Sequence, residues 1–297
     1  MLVKSSHPAF WFIAPAMLCL LLFFFLPVVA GWILSFTDFD LYALADPAQV
    51  RFIGLDNYRR LLNDPEFSIA LRNTLYFVAV GGLLSVLVSL LAALLLDYPL
   101  TPWKAGFRTA LFLPAVTTLV AVAVVWRYLY HPRYGLVNQV LGWFGIDPVD
   151  WLGDPDWALP AIVLMTVWKN FGFNMIIFLA GLQGIPVSLY EAARIDGASA
   201  WHQFRYITLP LLEPTLRVVV LITTVGYFQW FAEPYIMTGG GPARRTLSIA
   251  LLMYEQGFRW WNLGYAAAAA FVLFALIGGG SWLLGRMLHP AGEQAEG

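Results

Sequence analysis

The chain has 297 residues, 60% of them apolar and only 12% charged, with a mean hydropathy of +0.70 and a formal net charge of −1. A water-soluble domain carries about 25% charge, so this chain cannot cover itself in water and a bilayer is its natural solvent. The near-neutral balance leaves no basic surface for nucleic acid. The one cysteine, Cys19, sits in an apolar run and has no partner for an internal disulfide.

Taken in order, six runs approach or exceed the ~20 residues that a helix needs to cross hydrocarbon. The first covers 10–36, after Lys4, with Pro15 and Pro27 inside it. Its apolar part is too long for a cleaved signal sequence, so it is expected to stay as a span. Residues 37–69 are polar and mixed in charge, and FIGLDNYRRLLNDPEF there suggests a short amphipathic helix. Span two is expected over 71–96 and span three over 107–130, interrupted by Pro114. A Pro-, Gly- and Asp-rich loop follows over 131–157, then span four over 158–183. Span five is expected over 211–236 and span six over 265–288. The loop between them carries one short helix-like piece. The expectation is an all-α integral membrane protein with six transmembrane helices in one domain, 1–297. Basic residues do not orient it: with the N-terminus inside, seven lie on the inner side and nine on the outer.

The segment 188–210, SLYEAARIDGASAWHQFRYITLP, is the polar stretch between spans four and five. Ser188 and Glu191 fit an S-x-x-E capping box. Gly197 suits the left-handed residue that ends a helix, and Ser199 can cap a second short helix that runs to Thr208. The segment reads as helix, turn, helix, and a short rigid helix held at both ends transmits a push that a floppy loop would absorb.

Glu191-Ala192-Ala193, then Gly197, then Ile207, Leu209 and Pro210 give EAA-x3-G-x9-I-x-L-P. This resembles the EAA loop of permease subunits of binding-protein-dependent ABC importers. FIGLDNY, the FLP of span three, WLGDP and MTGGGP extend the resemblance over most of the chain, toward the carbohydrate-uptake, maltose-type branch. The resemblance implies a type I importer permease fold whose cytoplasmic coupling helix sits in a cleft of a separate ATPase. Glu191, Ala192, Ala193, Asp196 and Gly197 would carry that contact. It implies a second permease subunit, an ATPase dimer that binds the ATP and Mg, a periplasmic or extracellular solute-binding protein and a sugar as cargo, with membrane lipid around the spans. It also places both termini in the cytoplasm, in a multi-pass protein of the cell inner membrane. The two extra N-terminal spans and the large periplasmic insertion of the maltose-type subunit have no counterpart, so only the six-span core is expected.

Polar groups inside a span are costly and mark function by default. Span four carries Lys169, Asn170, Phe173 and Asn174 near its midpoint. Span five carries Thr223, Tyr227 and Trp230 at i, i+4 and i+7, one helical face, with Gln229 and Glu233 as a neighbouring i, i+4 pair. Aromatic faces stack on the C–H faces of a sugar while Asn, Thr and Lys supply directed hydrogen bonds. In the maltose-type relative, the positions of Lys169, Asn170, Phe173, Thr223, Gly226, Tyr227 and Trp230 line the sugar site. The residue types there differ, so location carries over and contacts do not. The competing reading of an aromatic stripe is helix packing.

No G-x-x-x-x-G-K-[ST] occurs, so a P-loop is absent and hydrolysis must come from elsewhere. The four histidines have no metal-ligand spacing, and G-x-S-x-G and H-E-x-x-H are missing. The chain is therefore expected to be a permease rather than an enzyme. A glycerol-phosphate or polyol importer of the same family is the alternative, and an ion-coupled secondary transporter a more distant one.

Overall fold

The computed structural model describes residues 7–46, 50–98 and 101–287. Lys4, the Leu288 end of the sixth run, and both chain termini with the orientation expected of them lie outside those residues. Among the described residues the chain is helical, with a single isolated bridge between Thr37 and Phe52. Five helices are long and apolar enough to cross a membrane: Trp11–Leu34, Pro65–Asp97, Ala158–Gln183, Ala200–Phe228 and Leu263–Met287. A bent pair, Lys104–Val116 and Leu119–Leu129, makes a sixth as a broken span. These are spans one, two, four, five, six and three.

The chain forms two compact units, residues 1–67 with 252–273, and residues 68–251 with 274–297. In the first, the segment after span one is tied down by a buried asparagine. Asn57, on the helix Asp56–Asn63, donates from Nδ2 to the carbonyls of Ser35 (2.9 Å) and Thr37 (2.8 Å). Tyr265 donates to Asp64, and the Arg60 guanidinium lies 5.5 Å over the Tyr265 ring. The amphipathic helix expected within 37–69 is this Asp56–Asn63 element.

In the second unit span four is the axis. Its most apolar window is 61% buried, against 28% for span five, so the other helices are arranged around it. One cluster, with Phe77, Tyr130, Ile162, Met165 and Trp230, surrounds its first half, and another, with Met175, Phe178, Leu182, Leu212 and Val219, its second. Burial of this kind stabilises by about 25 cal/mol per Å² where water is the alternative. Inside a bilayer that drive is absent, and close packing and hydrogen bonds replace it. Ser89 Oγ donates to the Phe171 carbonyl at 2.9 Å, and the Tyr130 hydroxyl to that of Ala161 at 2.9 Å. Gly172 lets span three approach closely: a Cβ there would lie 2.2 Å from the Leu111 carbonyl oxygen.

Several expected boundaries move. Span two begins at Pro65, six residues before 71, because proline is well tolerated at a helix start. Pro114 lies inside its helix, and the interruption of span three falls at Thr117 and Thr118, whose backbones are extended, with a 99° bend between the halves. Pro114 leaves the Ala110 carbonyl without its N–H donor, yet the helix continues two residues further before the β-branched pair leaves it. The loop over 131–157 contains a helix, Leu136–Trp143.

Span five ends at Phe228, not 236, and a separate helix, Ala232–Met237, follows. Pro234 accounts for the restart. In a continuous helix its ring would strike the Trp230 carbonyl, whereas a first turn accommodates it. Thr223 and Tyr227 keep the expected shared face, whereas Trp230 lies beyond the helix end and the Gln229–Glu233 i, i+4 pair does not hold. Ser188 does not cap its helix either. The helix is Val187–Ile195 with Pro186 at the N-cap position, so Ser188 is already its second residue and the capping box is not formed. Finally, the second short helix, capped by Ser199 as expected, does not stop at Thr208. It continues through a π turn, Phe204–Thr208, into span five.

Candidate solute cavity and coupling elbow

A cavity of about 420 Å³ lies among spans three, four and five. Span three contributes Phe112, Ala115 and Val116, span four Asn170, Phe173 and Asn174, and span five Ile222, Thr223, Gly226 and Tyr227. Asn174 donates from Nδ2 to Thr223 Oγ1 at 2.9 Å, so the two walls are clasped by a buried hydrogen bond. Tyr227 is 4% exposed, and its hydroxyl is buried near the side chains of Ser85 and Asn170. The Tyr227 residue is part of a cavity wall that also presents Asn170. The wall is thus apolar with a few directed polar groups, the composition expected of a small-molecule site.

Of the expected solute residues, the structure brings Asn170, Phe173, Thr223 and Tyr227 to this cavity. Lys169 is half-buried beside it, outside the lining, with its charge acting on the buried Glu233. Trp230 lies elsewhere. It is 2% exposed, stacks on Phe77 with centroids 4.0 Å apart and directs its indole N–H to Thr74 Oγ1 at 3.4 Å. Sequence reasoning did not single out Phe112, Ala115, Val116 or Ile222, which are apolar residues in apolar runs and carry no signal. Asn174 was visible as a polar residue inside a span.

The loop between spans four and five forms an elbow. Its helix, Val187–Ile195, is closed by Gly197 at φ +76°, with Gly197 N–H on the Arg194 carbonyl (3.1 Å) and Ala198 N–H on that of Ala193 (2.8 Å). This is the Schellman arrangement, which satisfies the last free carbonyls and reverses the chain sharply. The Tyr190 hydroxyl meets Thr208 Oγ1 at 2.9 Å and so pins the elbow helix to the base of span five. Glu191, Ala192, Asp196 and Gly197 are exposed and Ala193 half-exposed, beside Ile195 at 87% exposure. The pinned helix thus presents an exposed apolar side chain outside the long apolar runs.

A multi-span helical protein with a largely apolar cavity between spans, a few polar groups in its wall and an exposed elbow joining two of its walls has the architecture of a membrane transport component. Residues 102–286 match the model of the binding-protein-dependent transport system inner membrane component. The chain is 36% identical to the lactose transport system permease protein LacF of Rhizobium radiobacter, over 90% of this chain and 89% of that one. It is 36% identical to the trehalose/maltose transport system permease protein MalF of Thermococcus litoralis, over 92% and 91%. It shares its fold, at a TM-score of 0.80 over 96% of this chain and 95% of the other, with a chain of a bacterial alginate ABC transporter solved in complex with an alginate pentasaccharide-bound periplasmic protein. That likeness is at 24% identity. The chain belongs to the binding-protein-dependent inner membrane permease family. It is a membrane-embedded permease of an ABC importer and not an enzyme.

Proposed function

We propose that a saccharide crosses the membrane through the cavity among spans three, four and five, and that the elbow receives the ATP-driven movement that opens and closes it. The carrying observation is connectivity. The elbow joins the ends of spans four and five, and those same helices hold Asn170, Phe173 and Asn174 on one wall and Thr223, Gly226 and Tyr227 on the other. A rigid-body push on the elbow therefore acts on both walls at once. The relatives named for lactose and for trehalose and maltose support a sugar as cargo.

In this reading Glu191, Ala192, Ala193, Asp196 and Gly197 contact an ATPase subunit that holds ATP and Mg, on the cytoplasmic side. Both termini lie on that side too. A second permease subunit completes the cavity, and an external binding protein delivers the sugar. The periplasmic protein named with the alginate transporter supports the last of these. Closure of the ATPase dimer draws two elbows together and opens the cavity outward, and hydrolysis returns it inward. Asn170 hydrogen-bonds the sugar with Tyr227 in the wall beside it, Phe173 covers an apolar face, and Trp230 and Lys169 act from the shell around the cavity.

The test is uptake by Glu191→Lys and Gly197→Pro variants that reach the membrane in normal amount. Proline cannot adopt φ +76° and removes the N–H that closes the helix. Uptake is expected to be lost in both. Normal uptake by a correctly assembled variant refutes the coupling role.

A further inference from the structure

A second cavity, of about 260 Å³, lies on the same side of the spans as the elbow. It is lined by Leu96 and Asp97 at the end of span two, Lys104, Ala105 and Arg108 at the start of span three, and Leu179 and Gln183 at the end of span four. Span four continues from here into the elbow. The titratable groups facing this cavity are two cations and one carboxylate, a formal balance of +1. Lys104 Nζ donates to the Asp97 main-chain carbonyl at 3.0 Å, which anchors the side chain across the cavity. Arg108, one helical turn on, makes no hydrogen bond or ion pair with any described residue.

The helix Lys104–Val116 starts at this point. Its N-cap residue, Trp103, gives no side-chain hydrogen bond to the first turn. The surroundings suit an amphiphile. Trp103 is 85% exposed, as an interfacial anchor would be. Leu91 and Leu95, one turn apart on span two, are exposed as well and offer an apolar track leading away from the cavity. A net charge of +1 and a guanidinium without a described partner, on helices that also expose apolar side chains, match a singly charged phosphodiester on two chains.

We propose that this cavity binds the phosphodiester headgroup of an anionic phospholipid, of the phosphatidylglycerol type, in the leaflet on the elbow side. Arg108 holds the phosphate oxygens, Lys104 adds charge, and Asp97 limits the site to one negative charge. The lipid then bridges spans two, three and four where span four turns into the elbow. The site is independent of the saccharide cavity and does not depend on which sugar is carried.

The experiment uses the assembled transporter in detergent, titrated with palmitoyl-oleoyl phosphatidylglycerol or the matching phosphatidylcholine, with retained lipid counted by native mass spectrometry. The parent is expected to retain phosphatidylglycerol several-fold better. Removing a cation near a membrane surface weakens anionic lipid binding about fivefold, so the Lys104→Gln, Arg108→Gln double variant should retain the two lipids alike. Arg108→Lys keeps the charge and should keep most of the preference. Asp97→Asn should strengthen it, a gain that misfolding cannot mimic. Arg286→Gln, a cation at another helix end, should change nothing. Equal retention of both lipids by the parent, or an unchanged preference in the double variant, overturns the proposal. Displacement of phosphatidylglycerol by 20 mM inorganic phosphate (about that concentration suffices for a soluble-anion site) overturns the lipid assignment in favour of a soluble anion.

Discussion

Replacing Gly172 with alanine tests the packing that shapes the cavity among spans three, four and five. The added Cβ would stand 2.2 Å from the Leu111 carbonyl oxygen and 3.0 Å from both the Leu111 carbonyl carbon and the Phe112 Cα. Carbon and oxygen rest at roughly 3.3 Å, so one helix must retreat by about 1 Å. The obstacle is main chain in the middle of a helix, so no rotamer change relieves it. Overpacking of this kind costs about 2–4 kcal/mol. For a chain of this size that lowers the melting temperature by about 5–10 °C. The same retreat displaces Phe112, Ala115 and Val116, one wall of the cavity, so uptake should fall in the fraction that still assembles. The assay is thermal unfolding of the detergent-solubilised transporter followed by tryptophan fluorescence. Gly278→Ala is the control: nothing lies within 4 Å of a Cβ there, and alanine favours a helix interior by up to about 1 kcal/mol. A Gly172→Ala variant that melts within a degree of the parent, with unaltered uptake, would refute the close approach of spans three and four.

Thr223→Val removes the acceptor for Asn174 and is expected to destabilise by about 1 kcal/mol, while Asn174→Leu with Thr223→Val recovers part of that loss; a double-mutant cycle in melting temperature measures the coupling. Trp230→Ala empties a buried stacking position and should cost about 3–5 kcal/mol, so its main effect is expected in thermal stability, with the substrate affinity of the surviving transporter little changed; a selective rise in half-saturation concentration at normal stability would instead place Trp230 in contact with sugar. The Asp38 carboxyl is held below its usual range, first by the Arg51 backbone N–H that it accepts and then by the Arg51 guanidinium. Its contribution is therefore present above the ordinary aspartate pKa and lost as pH falls through the depressed folded value. Hydrogen exchange at the Ile53 amide, bonded to the Phe36 carbonyl at 2.9 Å, should speed up through that acidic window, and Asp38→Asn should abolish the pH dependence.

Much of the architecture was legible locally. A span needs only a sufficiently long apolar run, because the bilayer imposes its thickness on each helix separately; four of the six runs appear as single helices within several residues of where hydropathy put them, the third as a bent pair, and the fifth shifted to Ala200–Phe228. The elbow was legible for the same reason. Gly197 and Ser199 act on their own neighbouring backbone, and both do so as expected. Ser188 failed because the preceding Pro186 already set the chain for a helix start.

What remained hidden depends on partners distant in sequence. Thr223, Tyr227 and Trp230 share a helical period, yet Pro234 restarts the helix and Trp230 goes to Phe77 and Thr74, about 150 positions away in the chain. Phe112, Ala115 and Val116 differ in no visible way from the lipid-facing residues of their span, and they become cavity wall only because span three bends at Thr117–Thr118 and packs on Gly172. The sequence alone thus determined which runs are long and apolar enough to cross and where the chain carries its stiff turn, since solvent and backbone set those one segment at a time. Only the tertiary structure decided which side chains face the cavity, because facing is a relation between helices and hydrophobicity inside a membrane does not distinguish a neighbour from lipid.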